Sequence, residues 1–235
     1  MVTRFKDGGG KKVIVVGGGT VFHLKPQLAL SAPAYGTTAK RTFIFMETMC
    51  NSSEYYDVLG QRFVAQLVLT KMADPNSNIE TNEDLAHWIG NLDADVAAVL
   101  FDATVLDFSG LLYGEGGWPM IIGRATAKLQ TKKIGEKKRV DVGLFKTEKA
   151  INRIKRALPG VFLVGFKSTF GLSVSEQAAE SVSLAEDAFC DIVLSRDGKT
   201  GNAILTMGGE TKLLDRDADA LSVLVGLVMK EINGK

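Results

Sequence analysis

The chain has 235 residues, 46% hydrophobic and 23% charged, enough apolar material for a sizeable core, which excludes general disorder. Lys+Arg number 28 and Asp+Glu 27, so the net charge of +1 gives no whole-chain pull toward nucleic acid or an anionic membrane. Two cysteines, Cys50 and Cys190, cannot build a disulfide framework and fit a reducing cytoplasm, and two histidines, His23 and His87, leave little for a His metal site or a Ser-His-Asp triad.

The apolar runs are strand-sized and far short of the ~20 residues of a membrane span. Residues 1–12 are charged and Gly-containing and read as a flexible tail before a single domain over 13–235. Val13-Ile14-Val15-Val16 is a β-branched run closed by Gly17-Gly18-Gly19-Thr20, the pattern of a buried parallel strand. Ala39–Met49 reads as helix and Phe63–Thr70 as the next strand. Thr81-Asn82-Glu83-Asp84 has capping-box spacing and opens a helix to about Gly90. Val96–Phe101 is a third strand, followed by a glycine-rich loop over Gly110–Gly123. Six basic residues then fall between Lys128 and Arg139. Thr147–Leu158 is expected as an amphipathic helix stopped by Pro159-Gly160. Val161–Phe166 is a fourth strand. Ser173 or Ser175 opens a helix to about Asp187. Asp191–Leu194 is a short strand, Ala203–Thr206 and Thr211–Leu214 form a hairpin around Gly208-Gly209, and Ala218–Ile232 is the last helix.

This alternation predicts an α/β fold: a Rossmann-like, doubly wound, mainly parallel sheet with a small antiparallel edge. In such sheets chemistry sits in the loops after the strands. Gly17–Thr20 is either a tight turn or a glycine turn open to phosphate. It is not a dinucleotide fingerprint, because Phe22 stands where the third glycine belongs, and no Gly-Lys-Ser/Thr follows it. Asp107, just past the third strand, is placed either to cap a helix or to hold Mg²⁺ or a ribose hydroxyl. The lysines from Lys128 onward are either a solvated loop or a flap that neutralises polyphosphate. His23, His87 and Cys190 read as structural.

Read in order, these segments resemble the phosphopantothenate–cysteine ligase family of coenzyme A biosynthesis. The resemblance rests on Gly18-Gly19-Thr20 followed by Pro26, on Ala103-Thr104-Val105-Leu106-Asp107-Phe108, on the lysines from Lys128, on Leu163-Val164-Gly165-Phe166-Lys167 and on Glu210-Thr211-Lys212-Leu213-Leu214. It implies a homodimeric ligase using Mg²⁺ with CTP or ATP, acting on small molecules and binding neither nucleic acid nor membrane. The implied reaction has a carboxylate attack the nucleotide α-phosphate, after which the amine of cysteine displaces the nucleotide. It also implies roles. Gly18, Gly19, Thr20, Ala103, Asp107, Phe166 and Lys167 would meet the nucleotide. Asp107 would hold ribose or metal, and Lys128 would neutralise phosphate. Ala32, Gly36 and Lys40 would lie on the acid-substrate side. Four positions depart from the family pattern: Ala32 replaces an Asn that holds the acyl nucleotide, Thr37 replaces a Lys whose place Lys40 would take, Leu28 replaces an Arg, and Ser195 replaces an Asn of the late strand. These departures keep a second reading open, a nucleotide-binding module or non-ligase enzyme on the same fold.

Overall fold

The computed structural model describes residues 10–25, 28–52, 62–106, 108–113, 119–120, 132–134, 137–139, 141–215 and 219–234. In chain order, β1 (Lys11–Gly19) is followed by β2 (Val21–Lys25), β3 (Leu28–Ser31), α1 (Thr37–Cys50) and β4 (Phe63–Leu69). Next come α2 (Asn82–Gly90), β5 (Val96–Thr104), β6 (Phe108–Tyr113), β7 (Pro119–Met120), β8 (Lys132–Ile134), β9 (Lys137–Arg139) and β10 (Asp141–Lys146). A 3₁₀ turn (Ala150–Arg153) runs into α3 (Ile154–Ala157). The chain ends with β11 (Phe162–Thr169), α4 (Val174–Ala188), β12 (Ile192–Asp197), β13 (Ala203–Met207), β14 (Glu210–Leu213) and α5 (Ala220–Asn233).

The main sheet has seven strands in the order β14-β13-β12-β11-β5-β1-β4. The five from β12 to β4 are parallel, and β13 and β14 add the antiparallel edge expected around Gly208-Gly209. By succession the parallel strands stand second, first, third, fourth, fifth. This is one of the two common doubly wound orders, and its direction reverses between β1 and β5.

Strand alternation explains why β1 is so apolar. Val13 and Val15 enter the core shared with α1 and α5. Ile14 and Val16 enter the opposite core, shared with α2, the 3₁₀ turn and α3. A strand covered on both faces has no position to give to a polar side chain, and each such residue contributes about 1.5–3 kcal/mol of burial. The helix starts follow local chemistry. Thr81 and Ser173 each close a capping box, with Asp84 and Glu176. Among the described residues no helix is long and apolar enough to cross a membrane.

Several sequence expectations need correction. β1 begins at Lys11 rather than after Lys12, whose ammonium bridges Asp93 (2.7 Å) and Asp95 (3.1 Å). The segment after Gly19 is not simply loop. It folds as the antiparallel pair β2–β3, with Phe22 opposite Leu30. Part of the expected loop over Gly110–Gly123 is strand: β6 pairs with β7 and β10 in a separate antiparallel sheet. Some of the lysine-rich stretch pairs as β8–β9. The helix expected over Thr147–Leu158 starts only at Ala150. Lys149, at its start, provides no side-chain cap, and the apolar residues Ala150, Ile151 and Ile154 fill a single buried turn.

Candidate active site

Strand order reverses between β1 and β5, and open α/β sheets bind ligands outside the carboxyl ends of the strands at such a point. Gly17 pairs with Asp102 there, and Gly18 with Ala103. A side chain at Gly17 would strike Cβ of Ala39, so glycine lets the start of α1 lie directly on the strand end. Gly18 has φ +103° and lies against the Thr70 hydroxyl, a conformation and a spacing that only glycine accepts without strain. A Cβ on Gly19 would collide with the Ala32 carbonyl.

These glycines therefore serve close chain-to-chain approach. The N–H of Gly19 donates to the Ala34 carbonyl (2.8 Å) and that of Thr20 to the Thr104 carbonyl (3.2 Å). Thr20 is fully buried, and its hydroxyl accepts the N–H of Leu106 (3.0 Å). The loop is thus tied to the end of β5 and to the segment leading to Asp107. In this arrangement the amides of Gly19 and Thr20 are engaged within the protein.

Consecutive residues of β5 face opposite sides of the sheet. Ala103 points to the α2 side. There it lines a cavity of about 150 Å³ with Val105, Lys149, Phe166, Lys167 and Leu184. Two residues assigned to the nucleotide, Ala103 and Lys167, thus converge with Lys149, while the Phe166 side chain packs against the α1/α5 core on the other face and only borders the cavity. Lys167 is held by Glu180 (2.7 Å) and Lys149 by Asp187 (3.4 Å). Hydrogen bonding to Lys167 holds the Glu180 carboxyl below its usual value. Both lysines remain partly exposed, and such surface pairs open at little cost. A larger cavity, of about 660 Å³, lies between α2 and Thr147–Arg153, and none of its lining residues belongs to the seven-stranded sheet.

Asp102 points the other way, to the α1 side. Its half-buried carboxylate accepts the N–H of Ala39 in the first turn of α1, and burial pushes its pKa up to about 7. Gly36 supplies the left-handed turn (φ 67°) that starts α1, and no side chain caps that helix from its own end. Lys40, one turn on, donates to the carbonyls of Ala73 (3.1 Å) and Tyr35 (3.4 Å). The N–H of Ala32 donates to the Thr20 carbonyl (3.0 Å). Ala32, Gly36 and Lys40 therefore lie along the short path from β1 into α1, and Asp102 faces the end of that path. Sequence reasoning passed over Asp102. The available signal was a lone carboxylate closing an otherwise apolar strand, Val96–Phe101.

Ser195 is buried and accepts a hydrogen bond from the Gln177 amide (3.1 Å), so a side-chain amide reaches this strand from α4. Burial pushes the Cys50 and Cys190 thiols up to about 12, so neither is a nucleophile at neutral pH. His23 pairs with Glu80 (3.2 Å), and His87 accepts a bond from Asn91 through its backbone carbonyl (2.7 Å), consistent with structural use. Lys128 and Asp107 lie outside the described residues.

The fold is an open α/β protein with a mostly parallel sheet, whose candidate binding surface is the carboxyl edge of that sheet. Neither protein-family models nor curated protein sequences match the chain. Solved structures do. The chain is similar to the DNA/pantothenate metabolism flavoprotein from Streptococcus pneumoniae, at 16% identity and TM-score 0.68, over 96% of this chain and 99% of that one. It is similar to a Cab2 H337A mutant in complex with phosphopantothenate-cysteine, at 13% identity and TM-score 0.60, over 95% and 87%. It is also similar to the C-terminal domain of the coenzyme A biosynthesis bifunctional protein CoaBC, at 12% identity and TM-score 0.54, over 96% and 95%. At these identities the likeness is one of fold.

Proposed function

We propose that this protein is a nucleotide-dependent amide ligase that joins 4′-phosphopantothenate to cysteine, working as a cytoplasmic homodimer. The observation that carries the reading is that Ala103 and Lys167 meet Lys149 in one cavity at the ends of β5 and β11, with Phe166 at its border. The similar fold of a protein bound to phosphopantothenate-cysteine supports it. In the first step a substrate carboxylate oxygen attacks the α-phosphorus of CTP or ATP, and pyrophosphate leaves. In the second step the amine attacks the acyl carbon, and the nucleoside monophosphate leaves. The protein's share of such chemistry is positioning and charge stabilisation. Phe166 is the aromatic side chain that the resemblance assigns to the base, while Lys149 and Lys167 would meet phosphate charge.

Mg²⁺ enters such reactions on the phosphates of the nucleotide, held by one or two carboxylates. Among the described residues no three His, Cys, Asp or Glu side chains converge. Asp107 is the carboxylate assigned to it by resemblance.

The test is incubation with CTP or ATP, Mg²⁺, 4′-phosphopantothenate and cysteine, with pyrophosphate and product both assayed. Calorimetry should show nucleotide binding that weakens in Phe166→Ala by about tenfold, on the scale of roughly 1–3 kcal/mol for base–aromatic stacking. No pyrophosphate with either nucleotide would overturn the ligase reading. A second reading, nucleotide binding without ligation, is favoured by Ala32. Loss of one donor aimed at developing charge costs about 10²–10³ in rate, and alanine has no side-chain donor. Under that reading the nucleotide binds and Ala32→Asn raises a slow ligation rate.

A further inference from the structure

We propose that Asp102 is the proton acceptor for the attacking amine in the amide-forming step. The assignment rests on the ligase reading above and adds to it a catalytic group on the acid-substrate side of the sheet.

The argument begins with position. Asp102 ends the buried part of β5 at the reversal of strand order, opposite Gly17. Its neighbour Ala103 lines the candidate nucleotide cavity, and Asp102 itself faces the start of α1. A bond being made between an acyl group on the α1 side and a leaving nucleotide on the α2 side must cross the sheet edge between these two consecutive residues. No other carboxylate of β1 or β5 stands at this edge, because β1 ends in three glycines and β5 in Ala103-Thr104.

The second observation is that Asp102 lacks a cationic partner. Among the described residues no ammonium or guanidinium pairs with it. The charged groups on the elements around it are engaged elsewhere. Lys40 donates to backbone carbonyls, Arg41 pairs with Asp219 (3.1 Å), Lys71 with Glu80 (3.0 Å) and Lys167 with Glu180. Among the described residues the N–H of Ala39 is the hydrogen-bond donor to its carboxylate, which leaves acceptor capacity free. A carboxyl whose proton affinity lies near neutrality can take a proton and release it within one cycle.

The chemistry balances. Cysteine arrives as an ammonium ion. The Asp102 carboxylate takes one proton and frees the nitrogen lone pair. The nitrogen forms the N–C bond to the acyl carbon, and the bond from that carbon to the phosphoryl oxygen breaks, its electron pair leaving with the nucleoside monophosphate. The second nitrogen proton goes to solvent, and Asp102 later releases the first.

A purely structural role is the competing account, because Asp102 also caps α1. Asp102→Asn separates the two: the amide oxygen still accepts the Ala39 N–H, but the side chain no longer takes a proton. Hydroxylamine supplies the control nucleophile, since it is largely unprotonated at neutral pH and needs no base. In single turnovers at pH 7, the variant should lose about 10²–10⁴-fold in amide formation with cysteine. Hydroxamate should persist, so the ratio of hydroxamate to amide rises by a similar factor. The wild-type amide rate should climb with pH through an ionisation near 7 that is missing in the variant. Equal losses with both nucleophiles, or an amide rate unchanged by Asp102→Asn, would overturn the assignment. A carbon-13 NMR titration gives an independent readout: a carboxyl at 102 titrating near 4 would sink the proposal even in an active ligase. Absence of both hydroxamate and pyrophosphate in the wild type would instead remove the ligase reading and, with it, this step.

Discussion

Two aspartates at the carboxyl ends of parallel strands meet opposite fates in this molecule. Asp197, at the end of β12, is buried, yet its carboxyl is held well below the usual carboxylate range. Burial works against its charge, but the N–H groups of Thr200, Gly171 and Leu172 and the hydroxyl of Thr169 outweigh it. The bonds run from 2.8 Å (Thr200 N–H) to 3.2 Å (Leu172 N–H). Asp102, near the end of β5, has among the described residues the N–H of Ala39 as donor, and burial pushes it up to about 7. Burial is common to both; the number of donors aimed at the carboxylate decides the sign. Asp197 is a charged tie that fastens the loops after β11 and β12. Asp102 is a carboxyl left under-solvated where the candidate chemistry lies.

The comparison is broken or sharpened by substitution. The largest effect is expected at Asp197→Ala, which strands several donors at once. The variant should lose ten degrees or more of Tm on the scale of several broken hydrogen bonds, read by thermal scanning. An unchanged Tm would mean that the tie does not hold the loops. Because the folded-state pKa of Asp197 is depressed, its contribution is present above the unfolded value near 4 and is lost as pH falls below that. The wild type should therefore lose more stability than the variant in strong acid.

Asp102 carries the opposite sign. Its folded-state pKa is raised, so its contribution to stability is fully present below about pH 4 and is lost as pH rises toward 7. Asp102→Asn should therefore stabilise the protein at pH 8 by roughly 2–4 kcal/mol and have little effect at pH 4. Denaturant titrations at the two pH values test this, and equal shifts at both would show that no charge is being held out of water. A stabilising substitution that removes turnover is also the trade expected of a strained functional group.

Smaller effects refine the count of donors. Thr169→Val removes one of the donors to Asp197, the hydroxyl at 2.9 Å, and should lower Tm by a few degrees, far less than Asp197→Ala. Lys12→Ala sets the floor. Its bridges to Asp93 and Asp95 are partly exposed, so the loss should stay within about 1 kcal/mol and shrink with added salt. A larger effect at Lys12 would show that exposed pairs matter here more than buried donors do.

The legible part of this protein was its periodicity. Val13–Val16, Val96–Phe101 and Val161–Phe166 are continuous apolar runs, and a backbone covered on both faces accepts little else, so composition alone announces a buried parallel strand. The capping box at Thr81 and the turn at Gly208-Gly209 are equally local, each within four or five residues, and each appeared where it was read; of the two starts read for the next helix, Ser173 and Ser175, the structure uses Ser173. Of the candidate site, the resemblance named Ala103 and Lys167 but not Lys149, which lines the same cavity, because nothing near Lys149 in the chain distinguishes it from other surface lysines. The β2–β3 pair and the late start of the Ala150 turn escaped for a related reason: short segments carry too few residues for their period to outweigh what they pack against.

What tertiary structure alone decided is the electrostatic character of each polar group. Asp102 and Asp197 both fall near the carboxyl end of a parallel strand, the first directly after Phe101 and the second after Ser195-Arg196, and nothing in either local sequence states its proton affinity. The donors that depress Asp197 come from the loops after two strands, and the crowding that raises Asp102 comes from a helix more than fifty residues earlier in the chain. The glycines after β1 show the same division. Their number predicts a tight turn, but only the approach of α1, Thr70 and the Ala32 carbonyl shows why each must lack a side chain. Hydrophobic patterning is a property of neighbours in the chain, and proton affinity is a property of neighbours in space.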